Sequence, residues 1–210
     1  MVIRPYTPIR PIFHSEEDGT FQLVVKTYFP DDNQPGGAMS NILDCMPIGE
    51  EVEIRGPMGE IIYDDKGKFT LEGNEQQFKR ISLILGGTGI TPGYQLVRRI
   101  LKSDGDTTEI RVIDANNSES DILLREEWDE LQKEHAEQFK IVHVLAHHDE
   151  DWKGLSGFVT AAIIKEHAFP STEENVVFVC GPPMMIQKAV MPALKGKIAF
   201  LIIECVWVAY

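Results

Sequence analysis

Two short stretches combine residue types and spacing that suit a nucleotide. Gly86-Gly87-Thr88-Gly89-Ile90-Thr91-Pro92 follows the apolar run Ile81–Leu85, and Cys180-Gly181-Pro182-Pro183-Met184-Met185 follows Asn175–Val179. Each reads as a buried strand turning into a helix, where glycine lets backbone N–H groups approach phosphate oxygens. The first stretch approximates the GxGxxG fingerprint, with Gly87 and Gly89 in place. Pro92 stands where the third glycine would admit close helix–strand packing. Thr91 is expected to cap the following helix and Pro92 to occupy its first position. Alone, either loop is equally a tight turn. As a pair at strand ends they point to one crevice, because open parallel sheets bind ligands beyond the carboxyl ends of their strands.

Three further groups carry usable chemistry. Arg4, Tyr6 and Thr7 lie in "RPYT", where a guanidinium fork suits phosphate oxygens and a phenol offers a stacking face. Gly37, Met39 and Ser40 lie in "GGAMS", with Ser40 as the expected N-cap of one or two helical turns. Lys26 and Tyr28 lie in "VVKTY". Each has a plainer reading: Arg4 as a solvated charge on a proline-stiffened edge strand, Lys26 as the wet face of a strand, Cys180 as a small core residue. The six histidines show no ligand spacing, and "AHHDEDW" (146–152) reads as a solvated loop, so no metal site is expected.

The elements that must position these residues change character along the chain. Residues 1–72 read as β-rich, with alternating runs at Phe21–Phe29 and Glu50–Tyr63. The hydrophilic stretch 73–80 reads as a connection. From 81 to 210, apolar strands alternate with amphipathic helices, which implies a parallel sheet covered on both faces. The expected fold is therefore an antiparallel β-barrel, short of strands at its amino end, joined to an α/β parallel-sheet domain. Seventy residues supply too few strands to close a barrel.

Bulk properties narrow the function. With 210 residues and 25% charged residues the chain is long enough for one large or two small domains. A net charge of −13 argues against a nucleic-acid partner, which needs clustered Lys and Arg. Three widely spaced cysteines suggest a reducing compartment, the cytoplasm, and no leader pattern opens the chain. The apolar tail "AFLIIECVWVAY" is too short to span a bilayer, which takes about 20 residues, and reads as a strand or an anomalous tail.

In order, "RPYT", "GGAMS", "GGTGITP" and "CGPPMMI" resemble the ferredoxin–NADP reductase superfamily, and more closely its cytochrome b5 reductase branch, which includes the flavin domain of eukaryotic nitrate reductases. "CGPPMMIQKAVMPALK" and "LLREEWDELQ" are similar to the fungal members. The resemblance covers roughly Arg4 to Lys195. It implies an FAD site in 1–72 and an NAD(P)H site in 81–210, with hydride passing from NADPH or NADH to FAD and then single electrons to a b5-type haem domain. It implies that Arg4, Gly37, Met39 and Ser40 hold the FAD pyrophosphate, with Tyr6 and Thr7 against the flavin ring. Lys26 and Tyr28 fall near nicotinamide and flavin. Gly86, Gly87, Thr88 and Thr91 lie between the two rings. Cys180, with Gly181, Pro182 and Met185, sits beside the nicotinamide and orients it without acting as a nucleophile.

In a nitrate reductase, haem and molybdopterin would belong to upstream domains, and homodimerisation would run through those domains. Nucleotide choice is expected from the loop after the second parallel strand. There Asp114, Glu119 and Asp121 favour a ribose hydroxyl, while Ser118, Ser120 and Arg125 favour a 2′-phosphate. The fungal likeness tips this balance to NADPH. Two departures stand out: only three residues precede Arg4, and Tyr210 replaces the family's terminal aromatic strand in an unexpected context. They leave three readings open: an active flavoenzyme domain, a truncated protein that binds dinucleotide only, and a non-catalytic interaction module.

Overall fold

The computed structural model describes residues 2–30, 32, 35–59, 61–195 and, for the backbone alone, 200–202. Among the described residues, nine strands form two sheets. β1 (Ile61–Asp65), β2 (Lys68–Leu71) and β3 (Asn74–Gln77) make an antiparallel sheet in sequential order. β4 (Arg80–Gly86), β5 (Glu109–Asn116), β6 (Phe139–Leu145), β7 (Leu155–Ser156), β8 (Asn175–Cys180) and β9 (Phe200–Ile202) make a parallel sheet in the order β7-β6-β5-β4-β8-β9.

The chain starts this sheet at β4, builds outward through β5 and β6, then returns to the other side of β4 with β8. The reversal falls between β4 and β8, the position at which crossovers diverge and leave a crevice at the strands' carboxyl ends. Helices cover both faces, as the alternation implied. α2 (Ile90–Leu101) and α3 (Arg125–Glu134) pack Tyr94, Val97, Ile100, Trp128 and Leu131 against Leu83, Leu85, Val112 and Phe178. α4 (Ala161–His167), α5 (Pro183–Met185), a π turn (Ile186–Val190) and α6 (Met191–Leu194) cover the other face, with Ile164, Val190 and Leu194 against Ile84, Ile113 and Val179.

Several local expectations are revised. The run Phe21–Phe29 joins no ladder among the described residues beyond an antiparallel bridge between Gln22 and Arg10. The Glu50–Tyr63 run becomes a strand only at Ile61. The stretch 73–80 contains β3, whose polar residues are all exposed because only its backbone is needed to extend the sheet. Ser40 does not cap α1 (Ala38–Cys45). Gly37 holds that position and Ser40 lies one turn in. Thr91 likewise lies inside α2, which Gly89 precedes. Tyr210 lies outside the described residues, and of the apolar tail only Phe200–Ile202 is described, as a strand paired with β8.

The two sheets share a core. Phe69 on β2 is fully buried, with its ring 5.2 Å from Phe178 on β8 and 4.9 Å from Tyr63 on β1. Tyr63 bonds through its hydroxyl to Asp106, which precedes β5, and accepts the Gly67 N–H at 3.0 Å. Exposed apolar side chains, by contrast, concentrate before β2: Ile3, Phe29, Ile48, Ile54, Met58 and Ile62 are each more than half exposed.

Removing Phe69 should therefore uncouple the hairpin from the parallel sheet. Phe69→Ala is expected to lower unfolding stability by about 3–5 kcal/mol in denaturant titrations, while Phe29→Ala, at an exposed position, should leave the midpoint almost unchanged.

Candidate functional site

The glycine turn after β4 and the Cys180–Met185 turn after β8 lie against each other. A Cβ on Gly89 would sit 2.5 Å from the Cys180 carbonyl oxygen and 2.9 Å from the Gly181 nitrogen. One on Gly86 would meet Pro182 and Met185 at 2.9 Å, and one on Gly181 would meet the Gly86 nitrogen at 3.0 Å. Backbone thus packs on backbone at the switch point, and any side chain would force the turns apart. Gly87 is different: its φ of +53° favours glycine, and open space lies where its Cβ would point. Thr88, beside it, is half-buried, and the Thr91 hydroxyl donates to the Thr88 carbonyl at 3.2 Å.

The missing third glycine is found one residue later. A Cβ on Gly93 would lie 2.3 Å from Leu85 Cδ1, so Gly93 permits the close helix–strand contact that the fingerprint assigns to its last glycine. Reading the spacing as GxGxxxG would have identified it. Cys180 is fully buried and packs with the α2-side core, the plainer of its two sequence readings at the level of packing.

A second group forms around Tyr28. The Gly37 N–H donates to the Tyr28 carbonyl at 2.8 Å, and the Asn41 amide donates to that carbonyl at 2.9 Å and to the Gly37 carbonyl at 2.7 Å. Ser40 donates to the Gly37 carbonyl at 3.2 Å and is buried. Gly36, at φ +79°, passes so close to the Tyr28–Pro30 backbone that a Cβ would fall 2.8 Å from the Tyr28 oxygen. Gly37, the N-cap of α1, has no side chain to cap the helix, and a helix start of this kind suits an anion, with Met39 exposed in its first turn. Asn41, not singled out from sequence, is the residue that fastens this turn.

Lys26 links the second group to the parallel half. Its ammonium pairs with the Asp121 carboxylate and lies 5.7 Å from the Tyr28 ring centroid. Asp121 also accepts from the Ser118 N–H at 3.0 Å and the Ser118 hydroxyl at 2.7 Å, closing a capping box. The hydrogen bond from Lys26, with smaller help from Ser118, holds the Asp121 carboxyl below its ordinary range. Burial pushes the Tyr28 phenol up, partly offset by Lys26. The Tyr6 phenol is likewise raised by burial and lowered by Arg4. Arg4 donates to the Ile3 carbonyl at 2.7 Å. Arg4, Tyr6 and Thr7 are half-buried, in a segment tied to the Lys26–Tyr28 segment by the Arg10–Gln22 bridge.

The loop expected to choose the nucleotide is rearranged. Asp114 is wholly buried, bonded to Asn116 at 2.8 Å and His143 at 2.9 Å, and burial raises its carboxyl. It faces the core and cannot read a ribose, which corrects its assignment from sequence. Glu119 pairs with Arg125, whose guanidinium lies 5.6 Å from the Trp152 ring centroid. Among the described residues no group of three or more His, Cys, Asp or Glu is placed to share a metal, and no helix is long and apolar enough to cross a membrane.

The arrangement fits two planar cofactors. The half-buried Tyr6 and Tyr28, the glycine turn open at Gly87 and the start of α1 at Gly37 supply the needed residue types, and a lysine–aspartate pair spans the halves. A parallel sheet with this switch point, joined to an antiparallel half, defines the ferredoxin–NADP reductase-like class of two-nucleotide oxidoreductases.

Sequence comparison agrees: residues 1–63 match the oxidoreductase FAD-binding domain and residues 83–191 the oxidoreductase NAD-binding domain. The chain is 43% identical over 198 residues to nitrate reductase [NADH] 2 of Phaseolus vulgaris, covering 93% of this chain and 22% of that protein. It is 41% identical over 204 residues to NADH-cytochrome b5 reductase 3 of Rattus norvegicus, covering 93% and 67%. The cytochrome b5 reductase domain of Ulva prolifera nitrate reductase superposes with a TM-score of 0.89 at 37% identity, covering 96% of this chain and 79% of that one. The chain belongs to the FAD- and NAD-binding oxidoreductase family that contains the nitrate reductases and cytochrome b5 reductases. It spans about a fifth of the nitrate reductase and two thirds of the b5 reductase.

Two outcomes check this geometry. Gly89→Ala should part the two turns and lower dinucleotide-dependent turnover by roughly 100-fold, since about 1 Å of misplacement costs that much, with flavin content retained. Asp121 has a folded-state pKa below its unfolded value, so its contribution is fully present above the ordinary aspartate range and is lost as pH falls through the lowered value. Thermal midpoints of the parent and Asp121→Asn should therefore differ near neutrality and converge in acid.

Proposed function

We propose that this chain is an electron-transferring reductase unit that accepts hydride from NADH onto FAD and passes single electrons to a b5-type haem domain, as the carboxyl-terminal portion of an assimilatory nitrate reductase. The observation that carries the reading is the backbone contact between the Gly86–Gly89 and Cys180–Pro182 turns, on a chain whose halves match FAD- and NAD-binding domains. FAD, when bound, supplies the conversion of a two-electron delivery into one-electron release.

The chain's residues supply orientation. In this reading Arg4, Gly37, Met39 and Ser40 hold the FAD pyrophosphate by charge and by the N–H groups of α1. Tyr6, Thr7 and Tyr28 bound the flavin ring, and the phenols, which burial raises further above their ordinary range, offer stacking without charge. Gly86, Gly87, Thr88 and Thr91 form the floor between the rings. Cys180, Gly181, Pro182 and Met185 fix the nicotinamide side, where Cys180 acts through shape. Lys26 and Asp121 stand at the nicotinamide dinucleotide and hold the halves in register.

NADH is favoured over NADPH. The two relatives compared above are both named for NADH, and Arg125, the residue suited to a 2′-phosphate, is engaged by Glu119. A cytoplasmic setting accords with the exposed Cys45 thiol. The second reading, a free-standing NADH–cytochrome b5 reductase, is favoured by near-equal identity to those enzymes over a larger share of their length.

The purified chain should be yellow, and NADH should bleach its flavin and drive reduction of ferricyanide and of a soluble b5 haem domain, NADPH acting at least about tenfold less well. Colourless protein that still binds NADH would overturn the activity and leave a dinucleotide-binding fragment. Absence of both would leave an interaction module.

A further inference from the structure

The turn His14–Glu16, in the segment before Lys26, reaches across to the last turn of α2. Glu16 Oε1 accepts from Arg98 at 2.7 Å, and both side chains are only 20% exposed. The other carboxylate oxygen accepts the Ile12 N–H at 2.8 Å, so the acid is held on its own backbone while it grips the helix. One residue on, the Arg99 guanidinium lies 5.0 Å from the Phe13 ring centroid. Arg10 pairs with Asp18 at 3.5 Å and bonds the Glu16 carbonyl at 3.5 Å, closing the turn on itself. Two adjacent arginines of one helix are thus engaged by two residues of one turn.

The opposite end of α2 is the glycine turn. The helix has twelve residues, hence a length of about 18 Å, so a tilt of roughly 3° at its far end displaces the turn by about 1 Å. Such a displacement is enough to change hydride transfer by about 100-fold.

We propose that Phe13, Glu16, Arg98 and Arg99 form a clamp that sets the spacing between the flavin-side and nicotinamide-side surfaces, acting as positioning residues through α2. The proposal rests on the hydride-transfer reading above and concerns contacts remote from the nucleotide surfaces. The plainer role for Arg98 and Arg99, complementing the carboxyl end of the helix, needs neither Glu16 nor Phe13.

The test compares the parent chain with Glu16→Gln, Arg98→Met and the double variant. Rapid mixing of the FAD-loaded proteins with NADH gives the bleaching rate at saturation and the Kd separately. Each single variant is expected to lower the rate about 10- to 100-fold with Kd changed less than about twofold. The double should be no worse than either single. Equal bleaching rates across the set, with only thermal midpoints shifted, would overturn the proposal.

A second measurement does not use the reaction. In FAD-free protein, hydrogen exchange at the Ile12 amide should accelerate in Arg98→Met while exchange in β2 stays unchanged, and an unaltered Ile12 rate would also overturn the clamp. A parent that fails to bleach with NADH would instead refute the hydride-transfer reading, and the exchange result would still judge the clamp.

Discussion

The site depends on two backbone turns approaching to within the width of one carbon atom. Gly86, Gly89 and Gly181 have no side chain to hold the β4 and β8 turns apart, and each would meet backbone or the Pro182–Met185 side chains if it had one. Chain order makes this meeting unavoidable. β4 is laid down first and β8 returns beside it last, so the loops that leave their carboxyl ends become neighbours whatever lies between them in sequence. The contact is a result of topology, and glycine is what allows it to be close.

The flavin-side half depends on a different economy of groups. Between Gly36 and Asn41, one turn uses a left-handed glycine, a serine hydroxyl and an asparagine amide to fasten itself to Tyr28, and α1 starts from Gly37, which has no side chain to cap it. The Lys26–Asp121 pair then connects this half to the loop after β5. Asp121 thereby stabilises its own turn through Ser118 and carries a contact between halves, which explains why a single carboxylate attracts several donors.

Much of this was legible in sequence, for reasons that can be named. The parallel half was readable because its strands are continuous apolar runs and its helices carry a regular stripe, so Ile81–Leu85 and Asn175–Val179 admitted few alternatives. The paired turns were readable because glycine next to a buried strand has a restricted set of uses. The antiparallel half was less so. Alternation over Phe21–Phe29 predicts a strand, yet residues 23–28 are all half-buried in succession and join no ladder among the described residues beyond the Arg10–Gln22 bridge. β3 was hidden because its side chains are all solvated and only its backbone pairs. Asp114 was misread because composition does not say which way a strand residue points; its partner, His143, lies on the adjacent strand twenty-nine residues away. Gly93 was missed by one position in a motif whose spacing is usually treated as fixed. Contacts such as Glu16–Arg98, eighty-two residues apart, leave no local trace.

The shared aromatic packing around Phe69 bears on how such proteins can be cut and recombined. The piece that would have to travel with the parallel sheet begins upstream of Tyr63, because a hairpin removed at a polar stretch would carry away part of another unit's interior. Gene fusions that exchange flavin modules against a common nicotinamide module would be expected to join ahead of this hairpin, leaving its rings with the strand they cover. A seam placed by composition alone would fall within the hairpin and expose both faces of the break.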